Sequence, residues 1–330
     1  MDWSRPLNIF TWNVHGSYLY YLSQGRYNLY IPVNTERSGS YVGRGNTIPF
    51  GSNVIEIPVN EVKSTMFDCI LFQSQENYRE DQYELFTSEQ LEIIPKIYLE
   101  HDPPREHPTD TRHVMQDSKI LMVHVTHFNQ LMWNNDGVVS KVIEHGVVDP
   151  SIHYTGVLNR GAVVINNLYD RGRRLGSDIF LKVKKHIPLD LIGINSEKYA
   201  GIGEISLSQL PITLSCYRFL FNPIRYTSLG LAVCEAMMIG MPVVALATTE
   251  IPKTIVNGVS GYTDLDIDKL IEKMRVLMSD TDLAFAIGKE ARKAAIDKFN
   301  IDRFCNEWQD TFNEVVYGHP VNERINALER

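Results

Sequence analysis

A chain of 330 residues with a formal charge of −8, 44% hydrophobic and 22% charged residues has the balance of an ordinary globular protein. That balance excludes a disordered or fibrous chain, and the negative charge gives no electrostatic reason to expect nucleic acid as a partner. The length exceeds what one hydrophobic core usually fills, so two domains of roughly 150 residues are expected. No apolar run approaches the roughly 20 residues that a transmembrane helix needs. The first residues, MDWSRPLNIFTWNV, lack the basic start and long apolar stretch of a secretory signal, which makes the cytoplasm the expected location. Cys69, Cys216, Cys234 and Cys305 lie far apart, most of them in apolar segments, and read as reduced core thiols without a structural zinc.

In chain order, residues 7–12 predict a strand that runs through the turn Asn13-Val14-His15-Gly16-Ser17 into an aromatic helix over 18–22. Short apolar runs at 28–33, 68–73, 96–100 and 119–125 alternate with polar or helical stretches, the pattern of a parallel sheet wrapped by helices. Residues 1–150 therefore form one α/β unit, closed by the linker at 142–150, where an apolar run meets Gly146 and then Pro150. A second series, with strands at 161–165, 189–193, 219–221 and 242–245, repeats the architecture across residues 151–316. From Asp266 the chain is helical: Leu270, Met274, Leu277 and Met278 recur at helix spacing, as do Phe304, Trp308 and Phe312. Residues 317–330 read as a tail that either packs loosely or crosses to the N-terminal domain.

The densest stretch is 222–245, NPIRYTSLGLAVCEAMMIGMPVVA, a complete strand, loop, helix and strand. Thr227 or Ser228 suits a helix cap, Gly240 suits a left-handed helix end, and Pro242 bars continuation. Glu235 is the one charged residue of this helix, among Leu231, Val233, Cys234, Met237 and Met238, where an unpaired carboxylate is costly. Helical spacing puts Ser228, Ala232 and Glu235 on one face, with room for a polyhydroxylated ligand. A solvent-facing or lysine-paired Glu235 is the bland alternative; the apolar setting favours a ligand.

This stretch resembles the retaining group 1 glycosyltransferases, whose C-terminal domains read P-S-x-x-E-G-F-G-L-x-x-x-E-A-M-A-x-G-x-P-V-V-A. The resemblance implies the GT-B fold: two Rossmann-like α/β domains with parallel sheets facing across a cleft, 1–150 on the acceptor side and 151–316 on the donor side. It implies that Glu235, as the second glutamate of the E-x7-E motif, holds the donor ribose, and that the amides of Leu229 and Gly230 face phosphate or sugar oxygens. Thr227 stands where the family has the first glutamate, and Ser228 follows it where glycine is usual, so Thr227 and Ser228 fall on the donor side of the site. The resemblance runs on through 248–252 and 256–262 and the helices to about Val316.

Upstream, residues 142–149 look like the family's V-I-x-N-G-V-D linker, with His145 in place of asparagine, and 161–176 look like its V-G-R…K-G phosphate turn. Asn166-Asn167 replace G-R there and Leu175 replaces the lysine, while Arg171, Arg173 and Arg174 bring positive charge. The resemblance implies a diphosphate role for Arg173 and Arg174; a plain solvated turn is the alternative. In the N-terminal domain Gly16 falls where relatives approach phosphate. His101 falls where they approach the reacting sugar, although histidine also suits a loop bent by Pro103 and Pro104. The spacings of His107, His113, His124 and His127 match no metal-binding pair, and the family needs no metal.

The resemblance further implies transfer with retained anomeric configuration, no cofactor, and a nucleotide-diphosphate sugar, UDP- or GDP-linked, as substrate. Its acceptors are carbohydrate, lipid-linked or small molecules; peripheral membrane contact and homo-oligomer contact stay open. The competing class is a non-catalytic sugar-nucleotide-binding partner of another transferase, motivated by Thr227. A sugar-nucleotide epimerase lacks a pair of catalytic carboxylates here, and a dinucleotide oxidoreductase lacks G-x-G-x-x-G in its first turn.

Overall fold

Apolar runs without polar alternation belong to strands covered on both faces, and the chain uses them to build two parallel sheets. The computed structural model describes residues 5–135 and 137–318. It contains two units, one with the chain up to Glu144 and from Ile301 onward, the other His145–Asn300.

The first unit holds a seven-stranded sheet in the order β3-β2-β1-β4-β5-β6-β7, every pairing parallel. Its strands are β1 (Asn8–Thr11), β2 (Asn28–Val33), β3 (Val54–Pro58), β4 (Cys69–Phe72), β5 (Lys96–Glu100), β6 (Leu121–His124) and β7 (Ser140–Val142). All four residues of β4 are buried, and Phe10, Trp12, Ile70, Phe72 and Tyr98 lie in one core cluster. The second unit holds a five-stranded parallel sheet in the order β12-β11-β10-β8-β9, with β8 (Leu158–Val164), β9 (Leu189–Ile192), β10 (Tyr217–Asn222), β11 (Val243–Leu246) and β12 (Tyr262–Asp264). All six residues of β10 are buried.

Each sheet reverses its strand order once, between β1 and β4 in the first and between β8 and β10 in the second. In open parallel sheets the loops at the carboxyl ends of the strands flanking such a reversal form the natural ligand crevice. No helix among the described residues is long and apolar enough to cross a membrane.

Two features differ from the sequence-based expectation. Strand β3 was not anticipated: it sits at the sheet edge, where partly buried Glu56 accepts from Arg37 and the Arg44 amide and exposed Pro58 ends the strand, so a charge and a proline interrupt its apolar run. The units divide at Glu144/His145 and again at Asn300/Ile301, so the helix Ile301–Tyr317, expected with the second domain, belongs to the first. Its stripe of Phe304, Trp308 and Phe312 is buried against that unit. Trp308 Nε1 donates to Tyr18 Oη at 3.1 Å, Phe304 meets the Tyr18 ring edge-on at 5.6 Å, and Phe312 meets Tyr27 at 4.9 Å. Burial holds the Tyr18 phenol far above its usual pKa, so it remains a neutral hydroxyl. The helical spacing of the stripe was legible, whereas its partners lie almost the whole chain away. The tail expected at 317–330 falls, from residue 319 on, outside the described residues.

Removing the stripe's centre tests this assignment. Trp308→Ala is expected to cost about 3–5 kcal/mol, the usual range for truncating a fully buried tryptophan. Denaturant unfolding followed in the first unit should register the loss, and an unchanged midpoint would refute the packing.

Candidate functional site

The second unit's site begins where β10 ends. The chain leaves the sheet at Asn222, runs through residues 223–230, and enters the helix Leu231–Ile239. The helix ends as expected, with Gly240 in the left-handed region at φ 82°, but its start differs from expectation. Gly230, in an extended conformation, is the N-cap, and no side chain caps it; Thr227 and Ser228 lie outside the helix. A Cβ built on Gly230 would meet nothing within 4 Å. The helix therefore opens with an uncapped, sterically clear first turn, and its dipole favours negative charge there.

Because the helix starts at Leu231, Ser228 shares no helical face with Ala232 and Glu235. Those two remain neighbours one turn apart, and both are half-buried, whereas Val233, Cys234, Ala236, Met237, Met238 and Ile239 are buried. Glu235 thus lies on the partly buried side of the helix, on the same face as small Ala232.

Three side chains fix the loop by its carbonyls. Thr248 Oγ1 donates to Ile224 O at 2.8 Å, Thr249 Oγ1 donates to Ser228 O at 3.2 Å, and His145 Nε2 donates to Leu229 O at 3.0 Å. A trans peptide is planar, with its N–H directed opposite its C=O. Pinning the carbonyls of Ser228 and Leu229 therefore aims the amides of Leu229 and Gly230 away from Thr249 and His145. These are the two amides that the sequence singled out.

The arginine turn follows β8. Residues Leu168–Arg171 and Gly172–Leu175 form two short helical turns, and Gly176, at φ 83°, leads into the helix Ser177–Lys184. A Cβ at Gly176 would fall 2.1 Å from Pro223 O, so only glycine lets this turn lie against the loop after β10. Arg174 O accepts from the amides of Arg225 (3.1 Å) and Tyr226 (3.2 Å). Arg225 forms a bidentate pair with Asp178 at 2.6 and 2.8 Å and also donates to Arg173 O at 2.7 Å. Arg173 pairs with the same carboxylate at 2.6 Å. The hydrogen bonds from Arg225, reinforced by charge from both arginines, hold the Asp178 carboxyl below the usual carboxylate range.

The structure thus brings Arg173, Arg174, Thr227, Ser228, Leu229, Gly230 and Glu235 into two adjoining segments of one unit. The guanidinium groups of Arg173 and Arg225 share the one carboxylate of Asp178, which fixes this basic turn in the same unit as the helix that opens at Gly230. Sequence reasoning missed Arg225 and Asp178. Arg225 lay inside the motif stretch as an unassigned basic residue, and nothing local marks a pair that closes over 47 positions. Asn166 and Asn167, which replace G-R, stitch the loops after β8 and β9: Asn166 Oδ1 accepts from the Ile194 amide at 2.9 Å, and left-handed Asn167 (φ 54°) accepts from Asn195 Nδ2 at 2.6 Å.

In the first unit the ends of β1, β4 and β5 converge. Gln73, one residue past β4, donates through Nε2 to Thr11 Oγ1 (2.9 Å) and Trp12 O (2.7 Å), while its Oε1 lies 3.2 Å from His101 Nε2. The His101 ring packs 4.2 Å from that of His15 and edge-on to Tyr18 at 4.8 Å. Gly16 opens the helix Gly16–Leu22 directly after His15, and a Cβ there would press on the end of the Ile48 side chain at 2.2 Å. Gly16 and His101 are therefore placed at the carboxyl end of one sheet, after β1 and β5 respectively.

The remaining histidines separate. His113 is buried and pairs with Glu100 at 2.9 Å. His124 is also buried; burial, with a contribution from His113, pushes its pKa down to about 3, and its Nε2 accepts from Asn135 Nδ2 at 3.2 Å. His107 and His127 are exposed. Among the described residues no group of three or more His, Cys, Asp or Glu side chains is placed to hold a metal ion.

Comparison with known proteins bears on this geometry. The sequence profile of the family described as "Glycosyl transferases group 1" matches residues 190–280, the part of the second unit that contains the loop after β10, Glu235 and the helix carrying it. A trehalose synthase of Thermococcus litoralis is 34% identical over 84 residues, which is 26% of this chain and 20% of that protein. The chain thus matches only about a fifth of the length of that relative. Among solved structures, sucrose-phosphate synthase from Thermosynechococcus elongatus superposes with a TM-score of 0.69 at 12% identity, over 94% of this chain and 100% of that one. Anabaena HepE in complex with UDP gives a TM-score of 0.65 at 14% identity, over 94% and 100%. The fold, two parallel-sheet α/β domains, is that of the GT-B glycosyltransferases.

The buried His124 makes a pH prediction. Its pKa is lowered from 6.5 to about 3 in the fold, so between those values the unfolded chain binds the extra proton and stability falls as the pH falls. Below pH 6.5 this group alone is expected to cost about 1.4 kcal/mol per pH unit, reaching about 4 kcal/mol near pH 3. Unfolding free energies of wild type and His124→Gln between pH 7 and 4 should differ in slope by that amount; parallel profiles would show that His124 carries no such linkage.

Proposed function

We propose that this chain, whose residues 190–280 match the group 1 glycosyl transferases, is a glycosyltransferase. It moves a sugar from a nucleotide-diphosphate donor, UDP- or GDP-linked, to a carbohydrate, lipid-linked or small-molecule acceptor, without a metal and with retained anomeric configuration. The observation that carries this reading is the paired construction at the β8/β10 reversal. Two amides are aimed by pinned carbonyls at an uncapped helix start, and an arginine turn is fixed beside them by Arg225 and Asp178. HepE, which shares the fold, is found with UDP and with UDP-glucose, and this supports a nucleotide sugar as the donor here.

In the proposed reaction Glu235 accepts the ribose hydroxyls, and the amides of Leu229 and Gly230, with Arg173 and Arg174, stabilise the charge that grows on the departing nucleoside diphosphate. Thr227 and Ser228 line the sugar side of the same loop. The acceptor hydroxyl attacks the anomeric carbon on the face that the diphosphate leaves, and a donor phosphate oxygen takes its proton. Catalysis then rests on orientation and on fixed dipoles where charge develops, so no protein nucleophile or acid-base pair is required. Gly16 and His101 of the first unit serve phosphate and transferred sugar respectively.

One observation favours a second reading. Thr227 lacks the carboxylate that the family's motif places there, which suits a protein that binds a sugar nucleotide without transferring it. Product formation from a sugar nucleotide, abolished in Glu235→Ala, would reject that reading.

Two binding experiments test the donor site. Thermal shift against UDP, GDP, ADP and their sugar conjugates should reveal a base-specific stabilisation. Glu235→Ala should weaken that ligand by about 10- to 100-fold, the value of a charged hydrogen-bonding group; an undiminished shift would remove Glu235 from the site. Thr249→Ala releases the Ser228 carbonyl and should weaken the same ligand by about fivefold, on the order of one hydrogen bond, while Thr249→Ser restores it. Equal affinity in all three proteins would sink the idea that the loop's carbonyl anchors aim its amides.

A further inference from the structure

Gln73 takes no part in the function proposed above, yet its surroundings leave its amide a single orientation. It is 4% exposed, and its Nε2 lies 2.7 Å from Trp12 O and 2.9 Å from Thr11 Oγ1. A backbone carbonyl can only accept, so the amide group facing Trp12 must be the donor. Thr11 Oγ1 spends its one proton on Leu71 O, 2.9 Å away, and so also presents a lone pair to Gln73. Both Nε2 protons are thereby used. Flipping the amide would press Oε1 against two acceptors and leave buried groups unpaired, which is among the costlier errors in a protein interior.

The fixed Oε1 lies 3.2 Å from His101 Nε2. An amide oxygen offers no proton, so the contact requires one on Nε2. In neutral His101 that leaves Nδ1 with the lone pair. The ring is held in place from the other sides by His15, 4.2 Å between centroids, and by Tyr18, edge-on at 4.8 Å. Tyr18 is itself fixed through Trp308. The tautomer is therefore set by a chain that begins at the Leu71 carbonyl inside the sheet and passes through Thr11 and Gln73 to His101. Every link spans the carboxyl ends of the adjacent strands β1, β4 and β5.

We propose that Gln73 is a positioning residue that locks His101 as the Nε2–H tautomer, committing Nδ1 to accept a hydrogen bond from a hydroxyl of the sugar substrate. The functional half of this proposal rests on the assignment of His101 to the transferred sugar; the tautomer lock does not. Gln73 touches no reacting atom and acts through His101. A histidine that could present either nitrogen as a donor would offer that hydroxyl a donor in part of the population, and orientation would be lost in that part.

The test uses the full chain with 15N-labelled histidine. Long-range 1H–15N spectra at neutral pH should report His101 as Nε2–H in the wild type and as a mixture in Gln73→Met, which keeps the volume and removes the acceptor. Thr11→Val, which removes one anchor of the amide, should give a partial mixture, and Thr11→Ser should restore the wild-type spectrum; these two decide the matter if Gln73→Met does not fold. In transfer assays Gln73→Met is expected to lower kcat roughly tenfold or more, with the KM for the nucleotide sugar within about twofold, because no donor-binding group has changed. An Nδ1–H His101 in the wild type, or an unaltered tautomer in the folded variants, overturns the lock. A shifted tautomer with unaltered kcat overturns the role of Nδ1. If the wild type transfers no sugar, the failure lies with the proposed function, and the spectra still decide the lock.

Discussion

The planarity of two peptide units, 228–229 and 229–230, is the constraint on which the second unit's site depends. A loop amide is useful to an anion only if its direction is fixed before the anion arrives, since otherwise binding must also supply the cost of ordering it. Here the direction is set indirectly. Thr249 and His145 hold the carbonyls from behind, and the stiffness of the peptide carries that restraint to the amides in front. The Arg225–Asp178 pair does the same for charge. With Asp178's side chain 37% exposed the pair adds little to stability, yet its two-point geometry fixes the arginine turn against the loop in one register.

The first unit uses the same device with side chains in place of peptides. Thr11 and Gln73 have no proton left to rearrange, so the state of His101 is decided by carbonyls that belong to the sheet. In both units carbonyl oxygens act as the fixed acceptors: those of Ser228 and Leu229 set the loop amides, and those of Leu71 and Trp12 set Thr11 and Gln73. Both constructions sit where strand order reverses, β1/β4 and β8/β10, because there the loops from neighbouring strands leave in opposite directions and open the sheet's carboxyl edge.

How much of this could be read from the sequence follows from the range of the interactions. Strands buried on both faces, such as β4 and β10, announce themselves as apolar runs; β3, interrupted by Glu56 and ending in Pro58 at an edge, does not. The end of the helix at Gly240 was legible because a left-handed residue followed by Pro242 is a local signal, while its start was misread because Gly230 caps without a side chain. The position of Glu235 was legible from one charge in an apolar helix. Arg225 with Asp178, and Gln73 with His101, are pairs joined over 47 and 28 positions, and only the fold brings them together. The aromatic stripe of the helix Ile301–Tyr317 was visible, but its partners Tyr18 and Tyr27 assign it to the other unit.

The replacement of a motif glutamate by Thr227 takes its meaning from this division of labour. If the loop's ligand contacts came mainly from side chains, losing the first carboxylate of the motif would disable the site. The anchors instead act on carbonyls at 224, 228 and 229, and none of them involves the Thr227 side chain. The carbonyl anchors that aim the amides of Leu229 and Gly230 are therefore supplied by Thr249 and His145, whatever side chain stands at 227. Threonine exchanges a charged acceptor for a hydroxyl that both donates and accepts, at the one position of the loop whose family role is toward the sugar. On the proposed function, the substitution changes which sugar hydroxyls are matched and leaves the hold on the nucleotide diphosphate intact.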